Sequence, residues 1–147
     1  MGKISVPNEI LTKPTELTAL EFELIKQHAE IGYRIIEGID FPWPVAEMIR
    51  QHHERMDGSG YPRALLGEEI LLGARIIAVA DTVEAMDAHR PYRPSRGLDA
   101  ALKQIEQDRG TRLDADAVDA CLRLFRSGRY WLELPGVDVA QGRLALR

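Results

Sequence analysis

The sequence predicts an all-α fold: one helical bundle of about five or more helices, with residues 1–147 forming a single domain. Apolar residues recur three and four positions apart in successive segments, which is the spacing of one helix face. Clusters of proline and glycine separate these segments, and no segment shows the alternation typical of a strand. Hydrophobic residues make up 45% of the chain and charged residues 29%, a balance that allows a buried core and disfavours disorder.

The first helix is predicted to begin at a capping signal. Before Thr18 we expect an extended lead-in that two prolines interrupt. Thr18 and Glu21 have the spacing of a capping box, so the helix should run from there to about Glu37 and end at Gly38. One apolar stripe of this helix consists of Leu24, His28, Ile31 and Ile35. The stripe predicts that His28 points into the core.

The second and third helices are each predicted to bring a chemically active side chain inward. The second follows a turn at 41–44 and should stop before the stretch 57–62, which no helix can cross. Its stripe consists of Val45, Met48, Ile49 and His52. The third should run from near Glu69 to about Ala88, with a stripe of Ile70, Ala74, Ile77 and Asp81. A carboxylate on the buried side is costly without a partner, which makes Asp81 a candidate site residue.

Two further helices complete the predicted bundle. The fourth carries Leu98, Ala101, Leu102 and Ile105 on its apolar face. Gly110 should close it, and Asp114 can cap the fifth. The stripe of the fifth helix consists of Val118, Cys121, Leu122 and Phe125. Residues 127–147 give a mixed signal, and we expect them to pack Tyr130 and Trp131 onto the core.

Composition excludes several classes of protein. The formal net charge is −4, from 19 Lys+Arg and 23 Asp+Glu, which disfavours a DNA-binding protein. The one cysteine, Cys121, rules out an intramolecular disulfide and a multi-cysteine zinc site. No stretch approaches the ~18 apolar residues of a membrane span, and the first residues lack the apolar core of a signal peptide. We therefore expect a cytoplasmic chain without a membrane segment.

Four inward or helix-terminal groups from three helices form a candidate metal site: His28, His52, His53 and Asp81. Imidazole and carboxylate together suit iron, manganese, zinc or nickel. Each residue alone also has a structural explanation, because a lone histidine on an apolar stripe is usually a satisfied core residue. An inward aspartate often pairs with an arginine, and Arg75 or Arg90 could serve. Adjacent helical residues point about 100° apart, so His52 and His53 can share one centre only near a helix end or across two ions.

Two loops contain further candidate residues. The first is glycine-rich and includes Asp57, Gly58, Gly60, Tyr61 and Pro62. It follows a helix and not a strand, so it is neither a dinucleotide-binding fingerprint nor a P-loop; it is a tight connection or a rigid rim beside His52 and His53. The second loop holds Arg90 and Arg93, which can clamp phosphates through bidentate guanidinium contacts or form a solvated loop.

Residues 52–62, His-His-Glu-Arg-Met-Asp-Gly-Ser-Gly-Tyr-Pro, resemble the signature of the HD-GYP family within the HD phosphohydrolase superfamily. Supporting resemblance covers nearly the whole chain. It includes Gly2-Lys3-Ile4 with Pro7, Lys26-Gln27-His28, Val79-Ala80-Asp81 and Arg90-Pro91-Tyr92-Arg93. The resemblance implies an all-α, HD-domain-like fold and hydrolysis of cyclic di-GMP or a related cyclic dinucleotide. It also implies two divalent transition-metal ions, usually iron or manganese, with nickel or zinc as other options.

The resemblance also implies a role for each candidate residue. His28, His52, His53 and Asp81 would be metal ligands. Lys3 would be the catalytic lysine that contacts the phosphate or assists proton transfer. Arg90 and Arg93 would bind the substrate phosphates, and the loop 57–62 would lie next to the site.

One departure from the family pattern concerns the first residues. In the family a His-Asp pair directly precedes the Gly-Lys stretch, whereas Met1 precedes Gly2 here. We therefore expect a domain that lacks the family's N-terminal helices and this ligand pair. Asp81 would then be the remaining protein ligand of one ion, so we expect low or no activity. The missing helices would cover Leu24, Ile31 and Ile35, and exposure of these residues predicts a homo-oligomer.

Two alternatives stay open at this point. The chain could be a non-catalytic HD-GYP-like signalling or interaction module, because the Gly-Tyr-Pro loop of the family is linked with docking onto diguanylate cyclase domains. It could also be a structural helix bundle with coincidental histidines, which requires the long motif of residues 52–62 to be accidental.

Overall fold

A computed structural model of the chain describes residues 2, 6–88 and 95–127. Six α-helices follow one another in this part. They are α1 (Asn8–Leu11), α2 (Ala19–Ile36), α3 (Val45–Gln51), α4 (Leu72–Asp87), α5 (Leu98–Gln107) and α6 (Ala115–Arg126). The described ranges contain no strand, and their β pairing is limited to two isolated bridges. The predicted all-α class and the helix number are confirmed.

The lead-in before α2 is not fully extended as predicted. It contains the single helical turn α1, which begins directly after Pro7. The fixed backbone angle of proline suits a helix start, so this proline opens a helical turn instead of preventing one. Thr18 and Glu21 form the predicted capping box, and Lys13 binds the Glu21 carboxylate at 2.6 Å. The lead-in is therefore tied to the first turn of α2.

The buried face of α2 differs from the predicted stripe. His28 is buried as expected, with 4% of its surface exposed, but Leu24 is 39% exposed and Ile35 is 51% exposed. The buried residues of α2 are His28, Ala29, Gly32 and Ile36. A Cβ on Gly32 would lie 2.9 Å from Cγ2 of Ile49 on α3. Gly32 therefore allows α3 to approach α2 closely at Ile49, which a search for large apolar residues does not detect.

The hydrophobic core lies among α4, α5 and α6. Its buried residues are Ala78, Val79, Val83, Ala101, Ile105, Leu113, Val118 and Leu122. Cys121 and Phe125 pack at its edge, so the predicted stripe of α6 is confirmed. The predicted stripe of α4 is confirmed only in part, because Ile70 and Ala74 are buried whereas Ile77 is 39% exposed. The carboxylate of Asp81 also lies at the border of the buried face, with 32% of its side chain exposed, and not fully inside as predicted.

Helix α4 also begins later than predicted. A short 3₁₀ turn at Gly67–Glu69 precedes it, and the helix starts at Leu72. The side-chain oxygen of buried Gln51 accepts a hydrogen bond from the N–H of Leu71 at 2.8 Å. The last residue of α3 thus satisfies one of the backbone groups that a helix start leaves without an intrahelical partner. This contact holds the first residue before α4 against the last residue of α3.

Three further expectations concern membrane spans, the exposure of apolar residues on α2, and the packing of the residues after α6. None of the helices in the described ranges has the length and apolar character needed to cross a bilayer. Leu24 and Ile35 are exposed as expected, whereas Ile31 is partly buried; a homo-oligomer stays a prediction. The expected packing of Tyr130 and Trp131 falls beyond the described part of the chain.

Asp114 has two functions in the fold. Its carboxylate caps α6 by accepting from the N–H of Ala117 and pairs with Arg75 at 3.3 Å, where both side chains are largely buried. We expect Asp114→Ala to lower the free energy of unfolding by about 2–4 kcal/mol, because the cap is lost and Arg75 is left without its carboxylate. Chemical denaturation measures this loss.

The control is Asp119→Ala, which removes an aspartate–arginine pair from the exposed face of the same helix. It should cost about 1 kcal/mol or less, because exposed ion pairs contribute little. Asp114→Asn keeps a capping oxygen and should fall between the two. Equal losses for Asp114→Ala and Asp119→Ala would contradict the assigned role of Asp114.

The Asp114 contacts also predict a pH dependence. The N–H of Ala117 and, after it, Arg75 hold the pKa of Asp114 below its ordinary value of 3.8, against the opposing effect of burial. A carboxyl group with a lowered folded pKa stabilises the fold above its unfolded pKa and loses that contribution as the pH falls. The stability difference between wild type and Asp114→Ala should therefore be full at pH 7 and shrink below about pH 4. Denaturation curves at several pH values test this, and a difference that stays constant would contradict it.

Candidate metal centre

Three histidine rings converge at the contact between α2 and the end of α3. Nε2 of His28 lies 3.3 Å from Nε2 of His52 and 3.2 Å from Nε2 of His53. One ligand nitrogen of each ring lies within 4.8 Å of the other two. His52 is the C-cap of α3 and His53 follows it, so both rings lie at a helix end. This position meets the condition under which neighbouring residues can reach one centre.

The backbone determines how two of these rings are oriented. Nδ1 of His28 donates to the carbonyl of Ile25, and Nδ1 of His52 donates to the carbonyl of Ile49. A carbonyl oxygen only accepts, so each neutral ring carries its proton on Nδ1 and a lone pair on Nε2. The two lone pairs approach each other, which is favourable when a metal ion or an added proton lies between the rings. The donor set therefore fits a metal ion.

Asp81 lies on the other side of His53. Its Oδ2 is 3.7 Å from Nδ1 of His53, the nitrogen opposite the one that approaches His28. Among the described residues the close cluster of ligand atoms consists of the three histidines and does not include this carboxylate. Asp81 can therefore orient the His53 ring or bind a second ion beside the cluster.

A buried carboxylate holds the glycine-rich loop against this centre. Glu54 is 2% exposed and accepts from the N–H of Arg63 at 2.7 Å and from the N–H of Leu65 at 3.0 Å. Gly60 packs against the chain that leaves α3: a Cβ there would lie 2.4 Å from the nitrogen of Arg55. The loop lies beside the end of α3 that carries His52 and His53, and its path depends on Glu54 and Gly60.

Tyr61 covers one side of the histidine cluster. Its ring lies 4.8 Å from that of His53 at an interplanar angle of 32°, and Phe22 approaches the tyrosine edge-on at 6.3 Å. Burial, followed by the negative charge of Asp81, raises the pKa of Tyr61 to about 12. The phenol therefore stays protonated at neutral pH and shields the cluster with an uncharged ring.

A cleft of about 870 Å³ opens in front of the cluster, a size typical of ligand sites. Its walls include His28, His53, Tyr61 and Asp81, together with the cations Lys26, Arg55 and Arg112. Burial and the nearby charge of Arg112 lower the pKa of Arg55. A guanidinium keeps its proton throughout the physiological range, so the cleft contains positive charge.

The structure brings together only part of the predicted site. His28, His53 and Asp81 line one cleft together with Ser59, Gly60 and Tyr61 of the loop, and His52 belongs to the histidine cluster at its wall. Lys3, Arg90 and Arg93 are outside the residues that the structure describes. Sequence reasoning missed Glu54, Arg55 and Arg112. Glu54 and Arg55 directly follow the two histidines, and that position was the one available signal for them.

Comparison with known proteins identifies similar domains. A family profile described as HD domain matches residues 1–117. The chain is 45% identical over 135 residues to the cyclic di-GMP phosphodiesterase response regulator RpfG of Xanthomonas campestris pv. campestris. That match covers 90% of this chain and 35% of the relative.

Two further relatives show the same pattern. A cyclic di-GMP phosphodiesterase of Thermotoga maritima is 44% identical, with 84% of this chain and 34% of the relative covered. The 3'3'-cGAMP-specific phosphodiesterase 3 of Vibrio cholerae is 38% identical, with 82% of this chain and 26% of the relative covered. The chain thus spans about a third or less of the length of these curated relatives.

Gly60 provides a test of the loop packing. In Gly60→Ala the added Cβ would lie 2.4 Å from Cα of Glu54 and 2.5 Å from the carbonyl oxygen of His53, and neither backbone atom can move independently. We expect a loss of about 1–3 kcal/mol in the free energy of unfolding, because the loop must shift away from the end of α3. Urea denaturation measures this loss.

Gly38→Ala is the matched control, since a Cβ at Gly38 meets no atom within 4 Å. Its stability should stay within about 0.5 kcal/mol of wild type. If Gly60→Ala were as stable as Gly38→Ala, the close packing of the loop on the end of α3 would be refuted.

Proposed function

This chain belongs to the HD domain family, in its HD-GYP branch, and on that premise we propose that it is a metal-dependent phosphodiesterase domain that hydrolyses cyclic di-GMP or a related cyclic dinucleotide. Three imidazole nitrogens converging at the wall of a cleft carry the proposal. HD-domain phosphohydrolases are metal-dependent, and the relatives described above are phosphodiesterases of cyclic di-GMP or 3'3'-cGAMP.

His28, His52 and His53 are the proposed ligands of one divalent ion. Asp81 is the proposed carboxylate ligand of a second ion, on the far side of His53. Imidazole and carboxylate donors suit iron or manganese, and nickel or zinc are compatible with the same donors. Bound divalent ions would supply positive charge to phosphate oxygens and acidify a coordinated water.

The other residues of the cleft would bind and enclose the substrate. Tyr61 and Phe22 present aromatic surface beside the histidines, which can contact a nucleobase and exclude water. Lys3, Arg90 and Arg93 are proposed to contact the substrate phosphates, with Lys3 also assisting proton transfer. Supporting this assignment are their residue types and their positions in the family pattern.

The alternative proposal is that the domain is a non-catalytic signalling or interaction module that docks onto another protein. Asp57, Ser59 and Pro62 are exposed on the loop although Glu54 holds its backbone. A loop with a fixed path and exposed side chains suits recognition by another protein, and a diguanylate cyclase domain is the proposed partner. Exposed Leu24 and Ile35 similarly support a homo-oligomer.

Metal content and ligand binding test the proposed function. The purified chain, loaded with Mn²⁺ or with Fe²⁺ under anaerobic conditions, should retain metal after desalting and should bind cyclic di-GMP, and its rate of hydrolysis is measured in the same samples. His52→Ala should reduce metal affinity by roughly tenfold or more, because one of three converging nitrogens is removed. Elemental analysis, calorimetry and chromatography of the nucleotide products provide the readouts.

Gln27→Ala is the matched control, since Gln27 is the exposed neighbour of His28 on the same helix. It should leave metal content and nucleotide binding unchanged. A metal-loaded wild-type chain that neither bound nor hydrolysed a cyclic dinucleotide would refute the proposed function. Metal content unchanged by His52→Ala would refute the proposed ligand set.

A further inference from the structure

We propose that Arg55 and Arg112 form a phosphate-binding subsite in the cleft, separate from the histidine cluster. The subsite would hold a second phosphate group of the substrate, and in this respect the inference rests on the proposed function. Both side chains line the same cleft as His28 and His53. The assignment follows from the surroundings of Arg55, which is partly buried but has no carboxylate in contact with its guanidinium.

Arg55 is a partly buried cation without a carboxylate in contact. Its Nη1 donates to the backbone carbonyl of Glu54 at 2.9 Å. The carboxylates whose charges act on it belong to Asp81 and Asp108, and neither forms an ion pair with it within 4.0 Å. Removing a cation from water is costly unless an anion replaces the lost hydration. Within the described ranges no protein anion supplies that contact.

Other arginines show that this arrangement is not the rule in the chain. Six described arginines have a carboxylate within 4.0 Å: Arg34, Arg50, Arg63, Arg75, Arg109 and Arg126. Arg75 is also largely buried, and its partner Asp114 lies 3.3 Å away. The shielded guanidinium groups of Arg50 and Arg75 are thus paired with carboxylates, whereas that of Arg55 lines the cleft without one.

Arg112 brings a second positive charge to the same place. It belongs to the connection between α5 and α6, and its backbone carbonyl accepts from the N–H of Met56 at 3.0 Å. This bond fixes the segment that carries Arg112 beside the segment that carries Arg55, and the charge of Arg112 acts on Arg55. Two like charges repel, so their proximity at a cleft favours the binding of an anion between them.

The chemistry of the pair points to a phosphate group. Each guanidinium presents a planar fork of N–H donors, and two forks from different segments match an acceptor with several oxygens in different directions. A phosphodiester has this geometry. A cyclic dinucleotide carries two phosphates, so one can lie at the histidine cluster while Arg55 and Arg112 hold the other. The cleft volume of about 870 Å³ is sufficient for a ligand of this class.

Equilibrium binding with metal-free protein tests the subsite without turnover. Cyclic di-GMP and inorganic phosphate are titrated separately into wild type, Arg55→Met, Arg55→Lys and Arg112→Met. Arg55→Met should weaken cyclic di-GMP binding roughly tenfold or more, and Arg55→Lys should weaken it less because the charge remains without the fork. Arg63→Met is the control, because Arg63 lies in the same loop but does not line the cleft.

The outcomes separate the two proposals. If cyclic di-GMP binds equally to wild type, Arg55→Met and Arg112→Met, the subsite is refuted and the proposed function stands. If wild type binds inorganic phosphate through Arg55 but binds cyclic di-GMP in neither its metal-free nor its Mn²⁺-loaded form, the subsite stands and the proposed substrate is refuted. A wild-type chain that binds neither ligand in either form refutes both. Should Arg55→Met fail to melt cooperatively, Arg55→Lys and Arg112→Met decide the result.

Discussion

The site depends on the carboxylate of Glu54, which is buried directly after the two adjacent histidines. It accepts hydrogen bonds from the N–H groups of Arg63 and Leu65 and so fixes the returning end of the glycine-rich loop. The loop places Tyr61 on His53 and seats Gly60 against the backbone of Arg55. A buried carboxylate is stable only with its hydrogen bonds made, so the position of the loop and the burial of Glu54 depend on each other.

Local signals in the sequence predicted helix starts better than buried faces. Thr18 and Asp114 cap their helices as predicted, because each cap joins residues three positions apart. The buried face of α2 depends instead on α3, where Ile49 approaches Gly32 closely. No pattern within α2 contains that information, so the apolar stripe alone did not show that Gly32 and Ile36 would be the buried residues.

The part of the candidate site that lies within the motif of residues 52–62 was predictable from the sequence. His52, His53 and the loop 57–62 are contiguous, and the stripe of α2 correctly brought His28 inward. Asp81 lies further out than predicted, because α4 turns Ala74, Ala78 and Val79 toward its neighbours. The pairing of Arg55 with Arg112 was not predictable from the sequence, because these residues are far apart along the chain. A backbone hydrogen bond between Met56 and Arg112 brings their segments together.

The histidine cluster joins two elements that the chain connects only through the turn between α2 and α3. His28 belongs to α2, whereas His52 and His53 belong to the end of α3. A cation bound by all three rings would have much lower affinity for the unfolded chain, where His28 is no longer held beside His52 and His53, so it would favour the folded state by mass action. Each tenfold rise in free metal above the dissociation constant then adds about 1.4 kcal/mol to stability. If the cluster holds such a cation, the persistence of this domain in a cell would depend on metal supply.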